Sequence, residues 1–357
     1  MNSRKLLMIS TDRAIFQEGS AVRARQAEYA KQWDEVHIIV FKKANSKPQH
    51  SNKSQITNTK SETVIAPNCW AYSTESRVKF MYPFGAIRLG EFLINKRRIT
   101  EITCEDPSLT AMAGISLKKK YTIPLEIQVH EDIGSQYYVT NLMRKIRKTL
   151  ALSYLPRADH IRVVSNKIKE YLVGTLQIDA GKIEVRPIAV DTEKIKRALV
   201  IDGADLHKKY PQFKKIVLMA SRLEREKNVE LAMRSWPEVI KRVPGTGLLI
   251  CGTGSKAQEY KKLRERLGTQ NEVGNLSSSI VFEEWIDQEV LFSYYKTADL
   301  FLNTSLFEGY GMTLVEAHAA GCAIVSTDVG VAREVSAHIV GWNAAEVAEG
   351  IIGALQS

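Results

Sequence analysis

In the stretch LFEGYGMTLVEA, residues 306–317, Glu308 and Glu316 stand eight positions apart. Gly309, Tyr310 and Gly311 separate the first from a helix-like run, MTLVEAHAA. Carboxylates grip pairs of hydroxyls because both oxygens accept. The glycines let the backbone turn tightly and approach a ligand. A helix starting near Met312 would aim the free N–H groups of Met312, Thr313 and Leu314 at one spot, a ready phosphate site. One loop thus offers an anion site flanked by two acceptors, which suits a sugar attached to a nucleotide. A plain strand–loop–helix connection with two solvated glutamates would show the same spacing, so the neighbouring motifs decide.

SRLEREKN, residues 221–228, follows the apolar run KIVLMAS. Its Arg222 and Lys227 are five apart across a short loop and could clamp a diphosphate leaving group. CGTGS, 251–255, follows another apolar run, and Gly252 and Gly254 allow close backbone approach. It lacks the third glycine of a dinucleotide fingerprint and has no following GK[ST] of a P-loop. No Asp-x-Asp occurs in the chain. The two cations and the helix dipole at 312 would therefore neutralise the departing diphosphate, with no metal or other cofactor expected.

These motifs sit in a regular alternation of short β-rich runs and helix-period segments. Strands are expected at 5–10, 36–41, 98–104, 124–130, 160–165 and 182–188, with helices at 20–33 and 138–155. The pattern restarts with strands at 215–221, 247–252, 279–284, 299–304 and 322–327, and helices near 228–241, 256–267, 287–296 and 312–320. Such alternation means parallel sheets covered on both faces. Two series mean an α/β chain of two doubly wound, Rossmann-like domains, residues 1–190 and 191–357, with the break within 189–213. Ligands of such domains bind beyond the carboxyl ends of the strands, where all three motifs fall. The polar stretch 42–61 reads as a mobile loop.

The 357 residues give ample core for two domains, at 44% hydrophobic and 25% charged. No run reaches the roughly 18 apolar residues of a spanning helix. The apolar part of MNSRKLLMIS is too short for a signal peptide and reads as a first strand. Cys69, Cys104, Cys251 and Cys322 form no CxxC, which points to a reduced, cytoplasmic protein without structural zinc. Net charge is +10, unevenly spread: residues 1–190 hold 30 Lys+Arg against 18 Asp+Glu, residues 191–357 hold 20 against 22. The first half is therefore expected to meet something anionic.

The ordered set Arg222…Lys227, GTG, VFEEW, SLFEGYGMTLVEA and GCAIVSTDVGVARE resembles the donor half of the retaining glycosyltransferases of family 4, whose E-x7-E signature matches Glu308 and Glu316. The resemblance is clear from about 215 to 334. It implies a GT-B fold, two Rossmann-like domains facing a cleft, the first for the acceptor and the second for a nucleotide sugar. It further implies that Arg222 and Lys227 hold the diphosphate, Glu308 the sugar hydroxyls and Glu316 the ribose. The loop Gly309–Tyr310–Gly311 and the amides of Met312, Thr313 and Leu314 would meet phosphate. Glu283, Glu284 and Trp285 would lie beside the base.

In the first half, EGSAVRARQAEYAKQWDEVHIIV resembles the family's opening loop, helix and second strand. Gly19 would approach the phosphates and Arg23 would face the acceptor. EIQVHED resembles the family's strand–His element, which implies that His130 lies near the transferred sugar. IEVRPIAVD is similar to the segment entering the second domain. Three departures stand out. Cys322 replaces a usual Pro, and Val331 a common Gly. After ARE the chain runs only to Ser357, where the family usually adds helices that cross back onto the first domain; the sequence is read as a compact member or as one truncated at its C-terminus.

The leading expectation is a metal-independent retaining hexosyltransferase acting in polysaccharide biosynthesis on a glycan or lipid-linked acceptor. A GT-B sugar-nucleotide epimerase or phosphorylase is the enzymatic alternative. The basic half also admits a nucleic-acid-binding protein, against which basic and aromatic residues interleave in no recognisable RNA module; the expected partners include no nucleic acid. Two stretches, 77–98 and 141–157, mix cations with apolar residues. In the second, Leu142, Ile146, Leu150 and Tyr154 recur at helical spacing beside Arg144, Lys145, Arg147 and Lys148. Such a helix could lie on an anionic membrane, a peripheral site at the inner leaflet, or its stripe could face the core.

Overall fold

The computed structural model describes residues 3–43, 62–76, 78–270 and 276–357. The expected mobile loop at 42–61 falls almost wholly outside them. Contacts divide the chain between Arg186 and Pro187, four residues before the expected break, except that residues 135–138 and 165–167 pack with the second unit.

The first unit holds β1 (Lys5–Ser10), α1 (Ala21–Ala30), β2 (Glu35–Val40), β3 (Glu62–Ala66), β4 (Cys69–Ser73), α2 (Tyr82–Arg97), β5 (Glu101–Cys104), α3 (Leu109–Tyr121), β6 (Leu125–Val129), α4 (Leu142–Tyr154), β7 (His160–Val163), α5 (Asn166–Gly174) and β8 (Ile183–Val185). The strands form one sheet in the order β3-β4-β2-β1-β5-β6-β7-β8. Each pairing is parallel except β3 with β4. The expected strand at 98–104 is shortened because α2 runs to Arg97 and closes on Arg98 in the left-handed region, φ +56°. The hairpin of β3 and β4 was not anticipated.

The second unit holds α6 (Thr192–Arg197), α7 (Leu206–Lys209), β9 (Lys215–Ala220), α8 (Val229–Arg242), β10 (Thr246–Cys251), α9 (Ala257–Gln270), β11 (Ile280–Glu283), α10 (Gln288–Thr297), β12 (Leu300–Asn303), α11 (Met312–Ala319), β13 (Ile324–Thr327), β14 (His338–Val340) and α12 (Ala344–Gln356). Its sheet is parallel throughout, in the order β11-β10-β9-β12-β13-β14. Alternate residues of β9 face opposite sides. Val217 and Met219 join Trp236, Leu248 and Ile351 in one core. Ile216 and Leu218 join Tyr295, Phe301, Leu314 and Ala317 in the other. A strand buried on both faces must be apolar throughout, which is why these runs stood out in the sequence. The strand order reverses between β9 and β12, so the crevice beyond their carboxyl ends is this unit's expected ligand site. The two loops that leave those ends are 221–228 and 304–311, the motif loops.

Candidate functional site

The fold stitches the two loops together. Thr304 Oγ1 donates to the carbonyls of Lys227, at 3.3 Å, and Asn228, at 3.0 Å. The Leu306 N–H donates to Glu226 O at 2.8 Å. As a result Lys227 Nζ lies 2.5 Å from Glu308 Oε1, both side chains sheltered at 16% and 15% exposure. The same Oε1 is 2.8 Å from Ser305 Oγ. Arg222 lies on the same loop, 64% exposed, its guanidinium 3.0 Å from Glu226 Oε1. Lys227 of one motif and the first glutamate of the other thus share one place, though Lys227 faces a carboxylate that the sequence had assigned to the sugar; Arg222 pairs instead with Glu226 on its own loop.

The turn that follows is built by glycine. Gly311 caps α11 at φ +92°, where no side-chain cap is present. The N–H groups of Met312 and Thr313 stand at this end, but that of Leu314 turns back to Gly311 O at 3.0 Å. The expected set of three amides is therefore reduced to two. The loop rests on a third segment, part of the GCAIVSTDVGVARE stretch. Gly330, at φ +50°, sits so close that a Cβ there would lie 2.1 Å from Tyr310 O. The Val331 N–H donates to Tyr310 O at 2.9 Å, so Val331 serves through its backbone while its side chain enters the core. Ser165, packed with this unit, donates to Gly309 O at 2.9 Å.

Glu316 is only 5% exposed. Tyr295 Oη lies 3.2 Å from its Oε2 and Gln288 Nε2 3.5 Å from its Oε1. Burial raises its pKa, against the lowering effect of those two hydrogen bonds. It is a desolvated carboxyl short of strong donors, not the freely solvated one that spacing alone allows.

Gly252, Gly254 and Glu283 have structural contacts beside the ligand roles expected of them. Gly252 and Gly254 were assigned to ligand approach. A Cβ at Gly252 would lie 1.9 Å from Ser221 O, and one at Gly254 2.4 Å from Leu223 O. Close passage of the chain over itself accounts for both glycines, and it holds the Arg222 loop in place through Leu223 N–H to Thr253 O at 2.8 Å. Glu283 was placed beside the base with Glu284 and Trp285. Its carboxylate is instead taken by Lys209 Nζ at 2.6 Å, by Tyr294 Oη at 2.8 Å and by Tyr210 Oη. Burial pushes its pKa up, but the donors outweigh this and hold it below the usual range. It ties α7 and α10 to the end of β11. Glu284 and Trp285 remain exposed beyond it.

In the first unit Gly19 follows β1 at φ +74°, with open space where a Cβ would point. The Arg23 guanidinium is bound to Val64 O at 2.6 Å, which ties α1 to β3 rather than leaving it toward an acceptor. His130 Nε2 is 3.1 Å from Gln128 Oε1. Desolvation, with Arg162 and Arg25, pushes its pKa down to about 4, so the ring is neutral near pH 7. On α4, Leu142, Met143 and Ile146 are exposed, while Ala151 and the following Leu155 are buried. The stripe expected on one face therefore does not pack into the core at its N-terminal end. A cavity of about 170 Å³ lined by Arg4, Trp33, Glu101, Glu126, His160 and Arg186 lies near where this unit's strands begin.

The four cysteines are free and buried. Among the described residues no three His, Cys, Asp or Glu side chains gather as a metal-ligand group, and no helix is long and apolar enough to cross a membrane.

Residues 24–194 match the model of Glycosyltransferase Family 4, and residues 214–357 that of Glycosyl transferases group 1. The chain belongs to the family 4 glycosyltransferases. An uncharacterized glycosyltransferase of Methanocaldococcus jannaschii is 30% identical over 255 residues, 67% of this chain and 60% of that protein. The phosphatidyl-myo-inositol mannosyltransferase of Mycobacterium tuberculosis is 30% identical over 207 residues, 54% of this chain and 50% of that one. The matched segments thus span 50–60% of the length of these relatives. Among solved structures, Anabaena HepE in complex with UDP superposes with a TM-score of 0.68 at 15% identity, covering 98% of this chain and 89% of that one. The fold is that of the GT-B glycosyltransferases.

Proposed function

We propose that the chain transfers a hexosyl group from a nucleotide sugar to a glycan or lipid-linked acceptor, with retention at the anomeric carbon and without a divalent metal. The observation that carries this reading is the stitching of 221–228 to 304–311 at the strand-order switch, which sets Lys227 against Glu308 on the loop that also carries Arg222. Arg222 and Lys227 receive the diphosphate, together with the Met312 and Thr313 amides at the positive end of α11. Glu308 meets the sugar, Glu316 the ribose and Trp285 the base. The bond from the anomeric carbon to the diphosphate oxygen breaks with its electron pair on that oxygen. The acceptor hydroxyl bonds the same face of that carbon and passes its proton to the leaving phosphate. Preorganised cations at such a leaving group contribute on the order of 10²–10³ in rate each.

The first unit takes the acceptor, with His130, neutral, near the transferred sugar and Gly19 near the phosphates. The exposed Leu142, Met143 and Ile146 beside Lys145 and Arg147 suit an anionic leaflet at the cytoplasmic face, with roughly 1 kcal/mol per cation. The test is nucleoside diphosphate release in EDTA with and without candidate acceptors. Acceptor-dependent release supports transfer. Release of an altered nucleotide sugar without acceptor would favour an epimerase.

A further inference from the structure

Glu308 is held through one oxygen only. Oε1 takes both Lys227 Nζ, at 2.5 Å, and Ser305 Oγ, at 2.8 Å. Among the described residues no hydrogen bond reaches Oε2. Ser305 is fully buried, and its position is fixed from behind: its carbonyl accepts from Thr327 Oγ1 at 2.7 Å and from Trp342 Nε1 at 3.0 Å. Its hydroxyl is also 2.7 Å from Asn303 Oδ1, and its N–H 3.3 Å from the same atom. The hydroxyl has a single proton. Both acceptors stand within reach of that proton, and the carboxylate is the stronger of the two.

The two partners of Oε1 differ in mobility. Lys227 carries a charge on a flexible stem, and a diphosphate competes for it. Ser305 has a short side chain on a backbone tied to β13 and to Trp342. We propose that Ser305 is a positioning residue: its hydroxyl keeps Glu308 Oε1 fixed when Lys227 turns to the donor's diphosphate, so that Oε2 meets the sugar hydroxyls in constant register. This rests on the reading of Glu308 as the residue that contacts the donor sugar. A carboxylate freed to rotate would still leave the nucleotide bound but would lose the alignment that speeds transfer.

The test is a double-mutant cycle with Ser305→Ala and Glu308→Ala, read in two ways. Thermal midpoints of the unliganded proteins measure the contact itself, and kcat measures its use. Ser305→Ala should lower kcat on the order of 10- to 100-fold, as for a lost hydrogen bond to a charged group, with KM and nucleoside diphosphate affinity little changed. Added to Glu308→Ala it should cost little more, and Ser305→Thr, which keeps the hydroxyl, should restore kcat. Additive midpoints would show that the contact is absent and overturn the proposal. Coupled midpoints with an equal kcat loss in both backgrounds would overturn it while leaving Glu308 in its role. Full transfer by Glu308→Ala alone would remove that role, and the proposal with it.

Discussion

Removing Glu308 should tighten the binding of a nucleoside diphosphate while it damages transfer. In the unliganded protein Lys227 is spent on Glu308 at 2.5 Å, with about 15% of each side chain exposed. A diphosphate must draw Lys227 away. An exposed ion pair contributes at most about 1 kcal/mol, whereas breaking a fully buried one costs about 3–5 kcal/mol. This sheltered but not sealed pair falls near the lower bound, about 1–2 kcal/mol. With 1.4 kcal/mol to each factor of ten, Glu308→Ala should tighten nucleoside diphosphate binding about 5- to 30-fold. Calorimetry with the nucleotide alone measures this. The Lys227→Ala background separates two causes, because removal of a carboxylate also removes repulsion. If release of Lys227 is responsible, the gain disappears there; a gain that persists, or unchanged affinity in the single variant, refutes the reasoning.

Four further outcomes follow from the same geometry. Arg222→Ala should lower kcat on the order of 10²–10³, and near-normal turnover would make this exposed cation surface decoration. Glu316→Gln should raise the thermal midpoint of the unliganded protein at neutral pH: burial raises the pKa of Glu316 when folded, so its ionised form costs stability above the raised value. That gain should shrink as pH falls below the raised pKa and the wild-type carboxyl takes up its proton, while ribose-dependent binding weakens throughout. Because His130 titrates at about 4, His130→Gln should reduce kcat without reshaping the pH profile between about pH 5 and 8; loss of an acidic limb near 6 would contradict this. Binding to anionic but not neutral vesicles should weaken in high salt and on charge reversal at Lys145 and Arg147, and equal recovery with both vesicle types would return the acceptor to the soluble pool.

The strands were legible because parallel sheets buried on both faces leave continuous apolar runs such as KLLMIS and KIVLMA, and their order of appearance gave the two-unit fold. The hairpin of β3 and β4 was hidden because β3 is an edge strand of half-exposed residues. The pairing of Arg222 and Lys227 with the Glu308 loop was legible as motifs at strand ends, but not as contact. Which loops touch depends on β12 returning beside β9, a long-range choice that no local spacing encodes. For the same reason the contacts of Ser305, Gly330 and Val331 were not legible, although all three lie inside the motifs: each acts where one loop rests on another. The contacts of Glu283 were hidden for a related cause. Glu284 and Trp285 after it are exposed, while its own carboxylate meets Lys209 and Tyr210 from a segment read only as a linker.

The claim that the second unit's motif loops form the donor site is tested most directly by thermal shift across the nucleoside diphosphates in EDTA, on the wild type, Lys227→Ala and Glu316→Ala. A ligand that binds only the folded state raises the midpoint by mass action, about 2.7 kcal/mol at a hundredfold excess over Kd. At least one nucleoside diphosphate should stabilise the wild type, and both variants should lose most of that shift. A wild type stabilised by none of them, or a shift that survives intact in both variants, would place the donor elsewhere.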